Sequence, residues 1–317
     1  MTPSELSRLL KTRGIRPRRS LGQHFLTSRP HLDRIVQLAN LGPQDAVLEV
    51  GAGTGLLTAR LAEQAGAVVA VEVDPRLAEL LEDLVRVHPH VRVLRADALE
   101  LDLSAVFPPG MRRKVVANLP YGIASPLLVR LLEEVPDLER LVVTVQEEVA
   151  RRLVARPGTA DYGLLTVLVR FHADTELAFR IPPSAFVPPP RVTSAVVVLT
   201  PRPRPKGVDY ELFRTLARAA FGQRRKQLRR AWAGVAPGPH LEEAARVAGV
   251  DLTRRGETLA VEEFVAVARC LGSTVTRRVA GTPGSPELRP SLQGGEDEGR
   301  AHGEGAGAPD SRRRRRA

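Results

Sequence analysis

Cysteine, lysine and aromatic residues are scarce in this chain. One cysteine, Cys270, among 317 residues excludes an internal disulfide framework and a cysteine-built zinc site. One tryptophan and an aromatic content of 4% leave no broad platform for stacking successive bases. No run approaches the ~20 apolar residues of a membrane span. The segment Met1 to Arg19 is polar and basic, without the apolar centre of a secretory signal or anchor. A cytoplasmic protein without membrane association is therefore expected. Nothing points to an oligomer, so a monomer is the default. The seven histidines are scattered, no His/Cys/Asp/Glu cluster has metal-ligand spacing, and no metal is expected. No serine sits in a G-x-S-x-G elbow either.

Acidic residues are short relative to basic ones, 36 against 47, for a formal net charge of +11. The excess argues for a polyanionic partner, nucleic acid first. Only four of the cations are lysines, Lys11, Lys114, Lys206 and Lys226. An arginine bias also follows from GC-rich coding, so part of it carries no function.

Hydrophobic residues at 43% and charged residues at 26% are ordinary for a globular chain. The length suggests two domains. Four zones are visible: a basic N-terminal segment rich in turn formers (1–30), an α/β domain (31–200), a small helical domain (206–271), and a Gly/Pro/Ser-rich tail ending in Arg312–Arg316 (272–317). The tail cannot bury enough surface to fold and is expected to be disordered. In the second zone, strand candidates at 46–50, 68–73, 91–96, 114–118, 141–146 and 193–199 alternate with helical patterns. That alternation signals a mostly parallel sheet. The segment 201–205, Pro-Arg-Pro-Arg-Pro, reads as a stiff linker. Helical patterns follow at 210–221, 224–233, 241–248 and 261–271.

The first chemical signal is Glu49-Val-Gly51-Ala-Gly53-Thr-Gly55, between a strand and a helix. Glycines there permit a tight turn and close approach of backbone to a ligand. The spacing is G-x-G-x-G, unlike dinucleotide or Walker A loops. Glu72 ends the next strand and suits two ribose hydroxyls; Asp97 follows the third strand and suits an adenine amine. A glycine loop alone is weak evidence and a plain turn is a fair alternative. Loop plus two acids on successive strand ends fits a cofactor with adenine and ribose but no pyrophosphate, which suggests S-adenosylmethionine over NAD.

The second signal is Asn118-Leu119-Pro120-Tyr121 after the fourth strand. An exocyclic adenine amine is a poor nucleophile because its lone pair is delocalised. The Asn118 oxygen and a backbone carbonyl near Leu119 are suited to grip the amine hydrogens and draw the nitrogen towards a pyramidal geometry. Pro120 stiffens the loop and adds no N–H. Tyr121 offers a stacking face to an extruded base. The rate would come mainly from positioning and fixed dipoles. A strand-ending turn with a buried tyrosine is the bland alternative.

A third signal is Arg224, Arg225, Lys226, Arg229 and Arg230, at the opening of the helical domain. A solvated charge run is the usual reading. With the overall basicity, contact with RNA phosphates is favoured, and Arg16, Arg18 and Arg19 extend the strip.

Several motifs occur together in order: Ser20-Leu-Gly-Gln-His24-Phe-Leu26, 49–55, 118–121, Gln146 to Leu153, Pro157 to Gly163, and Phe186-Val-Pro-Pro-Pro-Arg-Val192. From about Pro17 to Leu271 the chain resembles the KsgA-type small-subunit ribosomal RNA adenine dimethyltransferases. The resemblance implies a Rossmann-like methyltransferase domain with a small all-helical C-terminal domain. It implies transfer of four methyl groups from S-adenosylmethionine to two adjacent adenosines in a hairpin loop near the 3′ end of 16S RNA, with a role in small-subunit biogenesis. It assigns cofactor contacts to His24, Leu26, Gly51, Glu72, Asp97 and Asn118, beside the loop glycine Gly53. It makes Phe186 a second aromatic, sandwiching the target with Tyr121. The chain departs from the usual pattern at Gly122 and His24, where asparagine is common. Rivals are an Erm-type large-subunit (23S) enzyme, an assembly factor whose methylation is secondary, and a DNA adenine methyltransferase.

Overall fold

The computed structural model describes residues 2–18 and 21–280. The expected disordered tail lies outside the described residues from 281 onward, as does Arg19.

The chain begins with helix α1 (Pro3–Thr12), the short strand β1 (Phe25–Leu26) and helix α2 (Arg29–Ala39). Then come β2 (Asp45–Val50), α3 (Leu56–Ala62), β3 (Ala67–Glu72), α4 (Pro75–Val85), β4 (Val91–Arg95), β5 (Arg112–Asn118) and α5 (Ala124–Glu134). The domain closes with β6 (Leu138–Gln146), α6 (Glu147–Val154), α7 (Leu164–His172), β7 (Ala173–Ile181), β8 (Phe186–Val187) and β9 (Ser194–Pro201). The helical region holds α8 (Tyr210–Gly222), α9 (Leu228–Ala231), α10 (Gly238–Ala248) and α11 (Val261–Ala280).

Seven strands form one sheet in the order β4-β3-β2-β5-β6-β9-β7. The first five are parallel, and β9 runs antiparallel to both neighbours. Strand β2 is buried along its whole length, as expected of a central strand covered on both faces. The chain winds outward from β2 through β3 and β4, then returns to β5 on the other side. A topological switch point therefore lies between β2 and β5, where open α/β sheets bind ligands. One sheet face packs on a cluster that includes Leu127, Leu131 and Leu153; the other packs on Leu32, Ile35 and Leu61. This is a doubly wound α/β, Rossmann-like architecture.

Three boundaries differ from the sequence reading. The basic N-terminal segment carries helix α1, closed by a capping box in which Thr2 N–H donates to Glu5 Oε2 and Glu5 N–H to Thr2 Oγ1. The expected helix at 224–233 is reduced to α9, because the chain turns after Gly222 and restarts beyond Gln227. Helix α11 continues past 271 to Ala280.

The helical region also shares its core with the α/β domain. Tyr162, Leu168 and Phe171 pack with Phe213, Trp232 and Phe264 in one cluster. Tyr162 Oη donates to the Leu259 carbonyl at 2.7 Å, and Trp232 Nε1 donates to Leu216 O at 2.8 Å. The stretch expected to be a free-standing linker is fastened: Pro201 still pairs with Ala173, and Arg204 donates to Glu133 O at 2.8 Å.

Candidate active site

The carboxyl ends of four adjacent parallel strands meet around one cavity of about 160 Å³. The glycine loop follows β2, Glu72 closes β3, Asp97 lies beyond β4, and Asn118 closes β5. All of them line the cavity, as do Leu119, Pro120 and Tyr121.

The glycine loop needs its glycines. Gly51 and Gly53 both sit in the left-handed region, at φ +72° and +57°. A Cβ on Gly51 would come 2.8 Å from the Pro120 ring, and one on Gly53 would come 3.0 Å from the Phe25 ring. The loop that would cradle a donor is thus pressed directly against the Asn-Leu-Pro-Tyr loop.

Glu72 is 4% exposed and holds that loop in place. Its Oε2 accepts from Gly53 N at 2.8 Å, and Oε1 accepts from Asp74 N at 2.9 Å. Burial raises its pKa, while backbone donors, Asp74 and Gly53 first, pull the other way. A carboxylate has about four acceptor sites, so two remain for ribose hydroxyls. Asp97 Oδ1 accepts from Leu99 N at 2.9 Å, which orients its carboxylate at the cavity wall. Val73, between Glu72 and Asp74, is 45% exposed and adds an apolar surface beside Ala98 and Ile123.

Asn118 carries the most informative geometry. Its Nδ2 donates to the His24 carbonyl at 3.0 Å. A carbonyl only accepts, so this contact fixes the amide orientation. Its Oδ1 is buried without a hydrogen-bond partner. A buried acceptor without a partner costs about 1–3 kcal/mol, which a donor brought against it would relieve. Leu119 N–H is anchored on Thr144 O at 3.1 Å, and Pro120 O accepts from Ile123 N–H at 3.1 Å.

Tyr121 is held by a 2.6 Å hydrogen bond with Ser194, and burial raises its pKa. Its ring stacks on His24, with centroids 5.6 Å apart and planes inclined by 27°. His24 Nδ1–H donates to the Pro188 carbonyl at 2.8 Å, which fixes that ring in turn.

The sequence-derived residues are therefore not all brought together. Phe186 does not reach the cavity. It is 2% exposed, opposite Leu26 in the β1–β8 ribbon, and packs in the core beneath the sheet. The ring beside Tyr121 is that of His24. Leu26 lines a separate small pocket of about 30 Å³ behind Gly51 and Asn118, together with the buried Glu49. Of the five helical-domain cations, Arg224 pairs with Glu257 at 3.6 Å and Arg229 pairs with Glu242. Arg225, Lys226 and Arg230 are exposed without an ion pair among the described residues.

Phe25, Gln23 and Val73 also line the cavity, and sequence reading missed them. An apolar residue between two acids was a usable signal for Val73. For Phe25 there was none, because its place depends on pairing with β8, far along the chain. Among the described residues, no group of three or more His, Cys, Asp or Glu is placed to hold a metal ion, and no helix is long and apolar enough to cross a membrane.

The residues present fit S-adenosylmethionine: a glycine cradle that any Cβ would fill, a partly committed carboxylate at the ribose position, and apolar walls for adenine. Comparison with known proteins agrees. The ribosomal RNA adenine dimethylase family matches residues 14–272. The chain is 48% identical over 272 residues to the ribosomal RNA small subunit methyltransferase A of Rubrobacter xylanophilus, covering 85% of this chain and 98% of that one. It is 43% identical over 281 residues to the protein of the same name from Pelotomaculum thermopropionicum, covering 84% and 95%. Among solved structures, a dimethyladenosine transferase from Plasmodium falciparum superposes with TM-score 0.66 at 25% identity, covering 77% of this chain and 96% of that one. The 23S rRNA methyltransferase ErmE gives TM-score 0.60 at 30% identity, covering 78% and 99%. The glycine cradle, the strand-end acids and the asparagine loop thus stand in a chain that belongs to the ribosomal RNA adenine dimethylase family.

Proposed function

We propose that this enzyme dimethylates N6 of two adjacent adenosines in the 3′-terminal hairpin loop of small-subunit ribosomal RNA, within an immature small subunit. The open acceptor of Asn118 carries this reading. Bound in the glycine cradle, S-adenosylmethionine supplies an electrophilic methyl group on a cationic sulfur. Glu72 holds its ribose and Asp97 its adenine amine, with Gly51, Gly53 and the backbone near His24 and Leu26 shaping the rest of the seat.

Tyr121 receives the extruded target base against one ring face. Asn118 Oδ1 and the Leu119 carbonyl accept the two N6 hydrogens, since the Pro120 carbonyl already serves Ile123. Holding those hydrogens draws the nitrogen out of conjugation and aims its lone pair at the methyl. With the donor so held by the glycine cradle, Glu72 and Asp97, its methyl would pass to the nitrogen as a C–N bond replaces the C–S bond, the sulfur keeping the electron pair and the surplus proton leaving to solvent. The monomethylated amine keeps one hydrogen for the same grip, which permits the second transfer. Arg225, Lys226 and Arg230, with Arg224 and Arg229 beside them, contact phosphates and position the RNA. We place the enzyme in the cytoplasm, as a monomer.

Labelled-methyl transfer to unmethylated small subunits, followed by mapping, tests the proposal. Four methyl groups on two neighbouring adenosines are expected. Labelling of the large-subunit RNA instead would overturn it.

A further inference from the structure

A second concavity, of about 410 Å³, lies between the end of α1, the turn after it, and β8. That is within the ~300–1,000 Å³ typical of small-ligand sites. Leu10, Ile15, Pro17 and Pro188 give it apolar walls, while Lys11 and Arg16 stand on it as exposed cations. No acidic residue lines it.

Two of the nearby cations are engaged. Arg13 pairs with Asp83 at 2.8 Å, and Arg18 with Asp74 at 3.5 Å. Lys11 and Arg16 form no ion pair among the described residues. Two open cations over rigid apolar surface match a nucleotide, with a phosphate for the charges and a base or ribose for the prolines.

The groove is joined to the active site. Pro188, which lines it, holds the His24 ring through its carbonyl, and that ring stacks on Tyr121. One hydrogen bond, between His24 and Pro188, thus separates the groove wall from the ring that stacks on Tyr121. We propose that the α1–β8 groove seats a nucleotide flanking the target adenosine, with Lys11 and Arg16 on its phosphates. The assignment rests on the RNA methyltransferase reading and adds a site that orients the strand rather than the base.

The test uses the full chain with unmethylated small subunits. In a Lys11→Ala/Arg16→Ala double variant, KM for subunits rises about tenfold. Affinity for S-adenosylmethionine and kcat stay unchanged. The slope of log affinity against log salt becomes shallower by about 1.4, at ~0.7 per single-strand phosphate contact. A photo-crosslinker on Ser7→Cys, in a Cys270→Ser background, marks the nucleotide next to a methylated adenosine. An unchanged KM and slope in a double variant of a wild type that methylates subunits would overturn the groove alone. So would a crosslink to a ribosomal protein. A wild type that transfers no methyl to subunits would remove the functional reading and the groove together.

Discussion

Replacing Asn118 by alanine removes the open acceptor and the donor to the His24 carbonyl. By analogy with loss of one preorganised polar group, methyl transfer should fall ~10²–10³-fold. Asn118→Asp separates the two roles. It keeps acceptor oxygens but sets a carboxylate against the His24 carbonyl, so single-turnover rates should fall there too. Glu49 allows a second prediction at this scale. Full burial pushes its pKa up to about 8, and its Oε2 has no hydrogen-bond partner. The folded state therefore holds a proton that the unfolded chain releases near its ordinary 4.5. This group's contribution to stability is full below that value and is lost as pH rises towards about 8, at ~1.4 kcal/mol per pH unit. Glu49→Gln should show a flatter profile than the parent across that window in urea titrations. Asn118, Glu72 and Asp97 stood out in sequence as candidates because each is a polar residue at or just beyond the end of a strand. The stacking of His24 on Tyr121 did not, since it depends on the 2.8 Å contact with Pro188, 164 positions away.

Among elements, the loop after β2 is the most constrained. Gly51→Ala adds a Cβ at positive φ against the Pro120 ring, at a cost of order 1–3 kcal/mol. Its melting temperature should fall, and it should lose most of the thermal shift that S-adenosylmethionine gives the parent. The parallel strands were legible as short apolar runs. Strand β7 was not, because a register shift between Leu177 and Phe179 breaks its alternation. Helix α1 was passed over as a basic segment, although Thr2-Pro-Ser-Glu5 is a capping-box pattern and Leu6 and Leu10 are buried. Phe186 shows the opposite limit. Resemblance assigned it to the base, yet the pairing of β8 with β1 turns its ring into the core.

For the whole molecule, the shared cluster around Phe171, Phe213 and Phe264 argues against two independently folding units. Calorimetry should show one transition, with the calorimetric and van't Hoff enthalpies in agreement. Trp232→Ala should lower stability by ~3–5 kcal/mol for the whole chain rather than for its C-terminal part. Two separately melting units would contradict this. The sequence reading sets a linker at 201–205, and β9 ends at Pro201, yet the packing runs on from α7 into the helices without a seam. The reason is physical: α7 carries apolar residues on more than one side, and linear order does not reveal which neighbour each side meets.

Because Gly51 lets the Pro120 ring rest on the loop behind it, the seats proposed for the two reactants share a wall. Neither seat can be widened without moving the other. Attempts to retrain such an enzyme towards bulkier sulfonium reagents should therefore disturb nucleobase selection as well, and successful lineages should carry paired changes on both sides of that partition.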